Sequence, residues 1–239
     1  MASRFLVLFA REPRRQALDK GLAGEAGEGL FTAFADGWID AARRSGAQVV
    51  VATPAVDRTA WRRRLPSEEL RFLEQRGKSF GERLEDTARQ AADLGGHAIL
   101  VGGDVAPSPS ILAEAFELLE GGADAVIAPA RDGGVSLVAL RREDLDLLGS
   151  VALRRTDVFS RLSRRLSVRG RQIGLVAAAT DVDGRRRLRS LLRSLPAALR
   201  NTARKALSLA PTGFREPRAL SLRPERARPR SLRGPPRAA

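Results

Sequence analysis

Two kinds of segment alternate along the chain. The first kind is an unbroken apolar run of strand length. The second kind, which lies between these runs, is a longer segment whose apolar residues recur every three or four positions, the spacing of one helix face. The predicted strands cover 4–10, 47–53, 70–75, 97–103, 123–130, 135–140 and a late run within 171–183. The predicted helices cover 25–45, 79–96, 108–122, 156–166 and 188–195.

The apolar runs rarely alternate with polar residues, which is typical of strands that are buried on both faces. Strands of this kind separated by amphipathic helices predict an α/β fold, with a mostly parallel sheet and helices on both faces. In such sheets ligands bind beyond the carboxyl ends of the strands. Residues that directly follow the predicted strands are therefore the first candidates for a functional site.

Acidic residues occupy several of these positions. Asp104 follows "ILVGG", Asp132 follows "VIAPAR", and Asp181 and Asp183 follow "IGLVAAAT". A single aspartate here would be an ordinary helix cap, and that alternative stays open for Asp104 and Asp183. Three such sites sharing one edge predict a metal and phosphate site, because Mg²⁺ and Mn²⁺ prefer carboxylate oxygens.

The corner Asp132-Gly133-Gly134 lies between the two apolar runs "ADAVIAPA" and "VSLVAL". Asp-Gly between strand-like runs is the strongest short signal for a β-hairpin turn. A ligand-binding loop is the alternative, since glycines let the backbone approach a phosphate or sugar while the carboxylate binds a hydroxyl or a metal. These residues alone favour the hairpin.

Composition excludes several kinds of site. The chain has no cysteine, which rules out disulfides, thiolate metal sites and cysteine nucleophiles, and its single histidine, His97, rules out a multi-histidine metal site. The first apolar run is too short to span a membrane, and no secretory signal precedes it. A cytoplasmic protein is the simplest expectation.

The net charge of +14 is concentrated at the C-terminal end. Residues 184–239 hold 16 Lys and Arg against 2 Asp and Glu, so the preceding residues are balanced. We predict a folded domain over 1–207 and a disordered Arg/Pro-rich tail over 208–239, since the tail has few apolar residues to bury. The tail could attract nucleic acid weakly, but no aromatic residues are interleaved for base stacking.

Several motifs resemble a known family when they are taken in order. "VLFAREP", "FGERLEDTARQA", "ILVGGD", "ADAVIAPARDGG" and "DVD" are similar to those of a bacterial glycosyltransferase-A-like family associated with arsenosugar biosynthesis and radical-SAM gene neighbourhoods. That family belongs to the nucleotide-diphospho-sugar transferase superfamily, with molybdenum-cofactor and phospholactate guanylyltransferases as distant relatives. The resemblance covers roughly residues 4–194.

The resemblance implies a Rossmann-like glycosyltransferase-A fold that binds a nucleotide or nucleotide-sugar, a small-molecule acceptor and a divalent metal. Asp104 matches the family's metal-binding aspartate. Asp132, Gly133 and Gly134 match its Asp-Gly-Gly loop on the sugar or acceptor side, so the ligand loop becomes the favoured interpretation. Asp181 and Asp183 match its late Asp-Val-Asp, a second metal or sugar contact.

Some ligand-contacting positions depart from the family pattern. The family's basic Lys-Thr-Arg-Leu stretch is replaced by "LDKGLA", which keeps only Lys20. Gly103 replaces the serine before the metal aspartate, and Val135-Ser136 replaces an aromatic pair. Either the substrate differs from the family's or catalysis has been lost.

Three functions follow from these observations. The first is a metal-dependent transferase, with glycosyl transfer ahead of nucleotidyl transfer of the guanylyltransferase type, and with Asp104 and Asp132 as the catalytic residues. The phosphates of the donor substrate would contact the first loop and the glycines before Asp104. For the charged residues of that loop, the alternative is a solvated basic loop that binds no ligand. The predicted contacts are Arg11, Arg14, Arg15, Lys20, Gly102 and Gly103. The second function is a catalytically inactive binding protein, and the third is a nucleic-acid binder. We also expect Asp57 to lie at the start of a surface helix.

Overall fold

The computed structural model describes residues 2–22, 24–65, 70–150, 157–193 and 195–209. The predicted tail over 208–239 therefore lies almost wholly outside the described residues. Strands and helices alternate as the apolar pattern predicts. The strands are β1 (Arg4–Phe9), β2 (Gln48–Thr53), β3 (Arg71–Glu74), β4 (His97–Gly102), β5 (Ala125–Pro129), β6 (Val135–Leu140) and β7 (Ile173–Leu175). The helices are α1 (Pro13–Asp19), α2 (Glu25–Arg44), α3 (Arg58–Arg64), α4 (Phe80–Ala92), α5 (Pro109–Glu120), α6 (Asp146–Ser150), α7 (Val158–Val168), α8 (Arg185–Leu191) and α9 (Ala197–Leu209).

The seven strands form one sheet in the order β3-β2-β1-β4-β6-β5-β7. β1 pairs in parallel with β2 and β4, β2 with β3, and β5 with β7. β6 runs antiparallel to both of its neighbours, β4 and β5. The sheet is thus mostly parallel, and the single reversal brings the start of β6 to the carboxyl ends of the other strands.

Helices cover both faces of the sheet, which confirms the predicted layers. On one face of the sheet, Leu6, Leu8 and other buried strand residues pack against α2, α3 and α5. Their neighbours Phe5 and Val7 point to the opposite face and pack against α4, α6 and α7. Successive side chains of a strand lie on opposite faces, so an unbroken apolar run is what a sheet covered on both sides requires.

Three of the described helices, α1, α6 and α9, lie outside the predicted helices. The first basic loop contains helix α1, for which Glu12 is the cap: its carboxylate accepts hydrogen bonds from the backbone N–H groups of Arg14 and Arg15. Near the other end, α9 packs against α2 and buries Leu199, Ala203 and Ala206 in a third apolar cluster. It extends two residues beyond the boundary predicted at residue 207.

Candidate functional site

A cleft of about 530 Å³ opens at the carboxyl edge of the sheet. The carboxyl ends of β1 and β4, the residue after β5 and the start of β6 all reach it. Its polar lining consists of Lys20, Asp104, Asp132, Ser136, Asp181 and Asp183. This is the edge at which the residues following the strands were expected to meet.

Backbone pairing brings the late aspartates beside Asp104. Val105 and Asp181 form an isolated antiparallel bridge. The N–H of Val182 donates to the Asp104 carbonyl at 2.8 Å, and the N–H of Ala106 donates to the Thr180 carbonyl at 2.7 Å. The segment after β7 therefore runs directly against the loop after β4, and the four predicted carboxylates share one cleft.

Lys20 joins two of these carboxylates. Its Nζ lies 2.6 Å from Oδ2 of Asp104 and 2.6 Å from Oδ1 of Asp183. The Lys20 side chain is 17% exposed, whereas that of Asp183 is 72% exposed. Burial lowers the pKa of the ammonium, but the charges and hydrogen bonds of the two aspartates outweigh burial and raise the pKa above its ordinary value. Lys20 is therefore fully charged at neutral pH.

Asp181 is the most enclosed of the cleft's aspartates, with a side chain that is 18% exposed. Its Oδ1 has no hydrogen-bond partner among the described residues, and its nearest cationic partner is Arg187 Nη2 at 3.6 Å. Burial, followed by the like charges of Asp132 and Asp104, raises the pKa of this carboxyl above its usual value. Asp181 thus presents a buried acceptor oxygen beside the other carboxylates.

Asp132 lies in the tight turn that joins β5 to β6. The two strands pair antiparallel. Oδ1 of Asp132 accepts a hydrogen bond from the N–H of Gly134 at 2.9 Å, and Gly133 has a φ of +87°, a conformation that favours glycine. The hairpin is therefore present. The same turn lines the cleft through Asp132 and Gly134. A hairpin turn is therefore compatible with a ligand-binding role for this corner, and that role stays a prediction.

The predicted phosphate contacts divide into two groups. Lys20 and Gly102 line the cleft, whereas Arg11, Arg14, Arg15 and Gly103 are not among its lining residues. Arg11 forms an ion pair with Asp19 at 2.6 Å, and Arg15 forms one with Asp57 at 2.8 Å. Arg11, which precedes α1, therefore pairs with the last residue of that helix, and Arg15, within α1, pairs with a residue 42 positions away. Pro13, at the first helical position, was the signal for this helix in the sequence.

Asp57 was expected on the surface, and that expectation is wrong. Its side chain is only 3% exposed. One carboxylate oxygen accepts from the Arg15 guanidinium, and the other accepts from the backbone N–H of Glu12 at 3.3 Å. Asp57 therefore anchors the start of α1, which leads towards Lys20.

We expect Asp57→Ala to lower the free energy of unfolding by about 1–3 kcal/mol, because it leaves a half-buried N–H and a guanidinium without the acceptor that they share. Urea denaturation measures the change. The matched control is Asp40→Ala, since Asp40 is exposed on α2 and its contact to Arg43 is 3.9 Å long; it should change stability by less than about 0.5 kcal/mol. Equal effects of the two substitutions would contradict this role for Asp57.

The cleft carboxylates are the candidate ligands for the predicted Mg²⁺ or Mn²⁺. Among the described ranges no group of three or more His, Cys, Asp or Glu residues is arranged to hold a metal ion. Mg²⁺, however, is commonly held by one or two carboxylates, with water and substrate phosphates completing its shell. Asp104 and Asp183 already converge on one cation, the Lys20 ammonium, and the unpaired Oδ1 of Asp181 lies in the same cleft. This donor set fits a metal that is shared with substrate.

Some cleft residues were not among the predicted site residues. Ser136 is buried, and its hydroxyl donates to the Ala128 carbonyl at 3.1 Å. The cleft also has an apolar wall, in which the rings of Phe9 and Phe80 meet edge to face at 5.6 Å. The sequence signal for these two rings is only that Phe9 ends a strand and Phe80 begins a helix. Because apolar residues at such positions usually belong to the core, this signal does not predict a cleft wall.

Comparisons with known proteins agree with this architecture. Residues 39–154 match a family model described as "Uncharacterized protein conserved in bacteria (DUF2064)". The search of curated proteins found no match. Within the described ranges, no helix is long and apolar enough to cross a bilayer.

Three solved structures are similar along most of their length. One, from Desulfovibrio desulfuricans G20, is provisionally assigned as a nucleotide-diphospho-sugar transferase; it is 21% identical with a TM-score of 0.73, covering 87% of this chain and 97% of that one. A mannosyltransferase from Pyrobaculum calidifontis, in complex with GDP-Man and Mn²⁺, is 17% identical with a TM-score of 0.50, covering 91% and 77%. The inositol-1-phosphate CTP transferase from T. maritima is 12% identical with a TM-score of 0.53, covering 88% and 99%.

At these identities the similarity establishes the fold alone. The activity depends on the residues that line the cleft. The strand order, the reversed β6 and the carboxylate-lined edge agree with the Rossmann-like architecture expected from the sequence. The chain therefore has the glycosyltransferase-A fold that nucleotide-sugar transferases and nucleotidyltransferases share.

Proposed function

We propose that the cleft binds a nucleotide or nucleotide-sugar and transfers a group from it, most simply a glycosyl group, to a small acceptor. The observation that carries this proposal is the convergence of Asp104, Asp132, Asp181, Asp183 and Lys20 on one cleft at the carboxyl edge of the sheet. The fold supports it, because similar structures include a mannosyltransferase in complex with GDP-Man. The more specific link to arsenosugar biosynthesis stays a prediction.

The proposed transfer breaks the bond between the sugar's anomeric carbon and a phosphate oxygen, and the bonding electron pair leaves with the diphosphate. The acceptor's hydroxyl oxygen forms the new bond to that carbon, and its proton passes to a cleft carboxylate. Asp132 is our candidate for this proton acceptor. One of its oxygens holds the turn, and the other is free to face a sugar or acceptor hydroxyl.

The residues that would hold Mg²⁺ or Mn²⁺ are Asp104 and Asp183, with Asp181 as a further donor. When bound, such an ion would neutralise charge on the leaving diphosphate. Lys20 contributes a second positive charge on the same side of the cleft. The apolar wall at Phe9 and Phe80 would exclude water from the ligand, which strengthens these electrostatic contacts.

Nucleotidyl transfer is the second candidate, because the T. maritima CTP transferase has a similar fold. The products distinguish the two reactions, since glycosyl transfer releases a nucleoside diphosphate and nucleotidyl transfer releases pyrophosphate. The inactive binding protein is favoured by a different observation: Arg11 and Arg15, predicted to bind phosphate, are paired with Asp19 and Asp57 instead.

A thermal-shift screen tests the proposal. The full chain is heated with each common nucleoside diphosphate and nucleotide-sugar, in Mn²⁺ and in EDTA. A ligand that binds only the folded state raises the melting temperature as its concentration exceeds Kd, so at least one compound should stabilise the protein. If every compound leaves the melting temperature unchanged at millimolar concentration, the proposal is wrong.

Asp132→Asn should weaken binding of the nucleotide-sugar or acceptor while leaving the melting temperature nearly unchanged, because the asparagine amide oxygen can still accept from Gly134. Asp132→Ala is the matched control for the turn, and should lower stability by about 0.5–1.5 kcal/mol through loss of that hydrogen bond. Thermal melting and calorimetric titration measure the two effects. If Asp132→Asn destabilises the fold and leaves ligand binding intact, Asp132 acts only in the turn.

A further inference from the structure

On the basis of the proposed function, we propose that Lys20 is an exchangeable counter-ion: it occupies the position between Asp104 and Asp183 that a metal would take, and it moves to the donor diphosphate when a divalent ion arrives. The Lys20 ammonium and the metal would thus compete for Asp104 and Asp183. The diphosphate would relieve that competition by giving Lys20 a new anionic partner.

The geometry supports competition for one position. The cation and the carboxylates come from distant parts of the chain, since Asp183 lies 163 positions after Lys20. Both carboxylates lie 2.6 Å from the same nitrogen. A divalent ion that used these oxygens would have to sit between them, where Nζ now lies. Metal and ammonium cannot occupy that space together, so metal binding requires Lys20 to leave.

The charges explain why Lys20 occupies this position. Without a cation, Asp104 and Asp183 would face each other across a cleft that also holds Asp132 and Asp181. Repulsion between these like charges would destabilise the folded protein, and an ammonium between Asp104 and Asp183 offsets that repulsion. The same four carboxylates would repel a diphosphate, however, so Lys20 alone leaves the cleft too acidic to bind one well.

The position of Lys20 in the chain allows the exchange. Lysine is a flexible side chain with three donors, of which Asp104 and Asp183 take two; the third has no partner in the part of the chain that the structure describes. The backbone beneath it is fixed, because Leu22 N–H donates to the Ala17 carbonyl at 2.8 Å and Gly21 N–H donates to the Leu18 carbonyl at 3.1 Å. The side chain can therefore move while its attachment point stays at the rim of the cleft.

This exchange predicts that one substitution moves two affinities in opposite directions. Lys20→Met removes the ammonium and keeps an unbranched side chain of similar length. The variant should bind Mn²⁺ alone about tenfold more tightly, since the competitor is gone. In saturating Mn²⁺ it should also bind GDP, UDP or CDP about tenfold more weakly, since the only side-chain cation that lines the described cleft is no longer there to contact the diphosphate. Both changes lie within the usual range of coupling between sites.

Electron paramagnetic resonance measures Mn²⁺ binding without nucleotide, and calorimetry measures nucleotide binding in saturating Mn²⁺, each on the full chain. Lys205→Met is the matched control, because Lys205 is exposed on α9 and outside the cleft; it should change neither affinity. Lys20→Gln, which keeps one hydrogen-bond donor for a carboxylate, is the second variant if Lys20→Met does not fold, and should shift both affinities in the same directions.

The outcomes separate the exchange from the proposed function. Opposite shifts in the two affinities support the exchange. Weakening of both affinities, or unchanged Mn²⁺ binding, overturns it while nucleotide binding by the unmodified protein still supports the transferase. If the unmodified protein binds none of the three nucleotides, with or without Mn²⁺, the exchange and the proposed function both fail.

Discussion

Gly27→Ala is expected to cause the largest loss of stability of any substitution considered, about 3 kcal/mol or more, the upper end of the range for overpacking. A Cβ at Gly27 would overlap the carbonyl oxygen of Leu22 and lie 3.2 Å from the Cβ of Ala17. The obstacle is backbone, so relief requires α1 and the chain carrying Lys20 to move away from α2. Urea denaturation should show the loss, and nucleotide binding should weaken with it.

Gly29→Ala provides a matched control two residues along the same helix. A Cβ there would lie 3.8 Å from Cγ2 of Thr202, an ordinary contact. Alanine is favoured over glycine inside a helix by about 0.5–1 kcal/mol, so this variant should be as stable as the original or slightly more so. Equal stability of the Gly27 and Gly29 variants would show that the close approach of α2 to Leu22 is not required.

Gly103→Ala is expected to have the second largest effect, because it affects both the fold and the cleft. Its Cβ would overlap that of Ala10 and lie 3.1 Å from the Ala10 Cα. Ala10 cannot withdraw easily, since its N–H donates to the Ala52 carbonyl at 3.0 Å. We expect a loss of about 1–3 kcal/mol, together with at least a tenfold loss of nucleotide affinity (about 1.4 kcal/mol) as Asp104 shifts.

The neighbouring Gly102→Ala distinguishes these two effects. There the closest atom to a new Cβ is Oδ1 of Asp104 at 2.7 Å, the end of a side chain that can rotate. Stability should therefore stay nearly unchanged in chemical denaturation, whereas the contact between Asp104 and Lys20 should be disturbed and ligand binding altered. If Gly103→Ala were harmless to stability, the tight packing of this loop against the end of β1 would be incorrect.

Local patterns were enough to predict most of the fold. Strand β1 and helix α2 follow directly from an unbroken apolar run and from apolar residues at helical spacing. The Asp-Gly corner at Asp132 carried the signal of the hairpin, whereas the reversal of β6 within the sheet was not predicted. The predicted features depend on residues close together in sequence, which is the range over which apolar periodicity and turn chemistry act.

Helix α1 was missed because it is short and its charged residues hid the Glu12 and Pro13 start signal. Helix α9 was missed because its buried face consists largely of alanines, such as Ala203 and Ala206, which a search for large apolar residues passes over. Its burial depends on α2, far away in the sequence. In both helices, tertiary packing decides what local pattern leaves open.

The candidate site could be predicted in position but not in its pairings. Strand ends indicated where the aspartates would converge, and Asp104 and Asp183 do reach the same cleft. No rule of sequence spacing connects Lys20 with a residue 163 positions away, or assigns Arg15 to Asp57. Such ion pairs depend on which loops the sheet order brings together, and that order is a property of the whole fold.

If the cleft at the carboxyl edge of the sheet is a nucleotide-binding transfer site, as we propose, a bound nucleotide should be visible there. The test is a crystal structure of the full chain grown with Mn²⁺ and the nucleoside diphosphate that gives the largest thermal shift. We expect the diphosphate in this cleft, with Lys20 Nζ on a phosphate oxygen and Mn²⁺ between Asp104 and Asp183. A nucleotide bound elsewhere on the protein, with Lys20 still joining the two aspartates, would contradict the proposal.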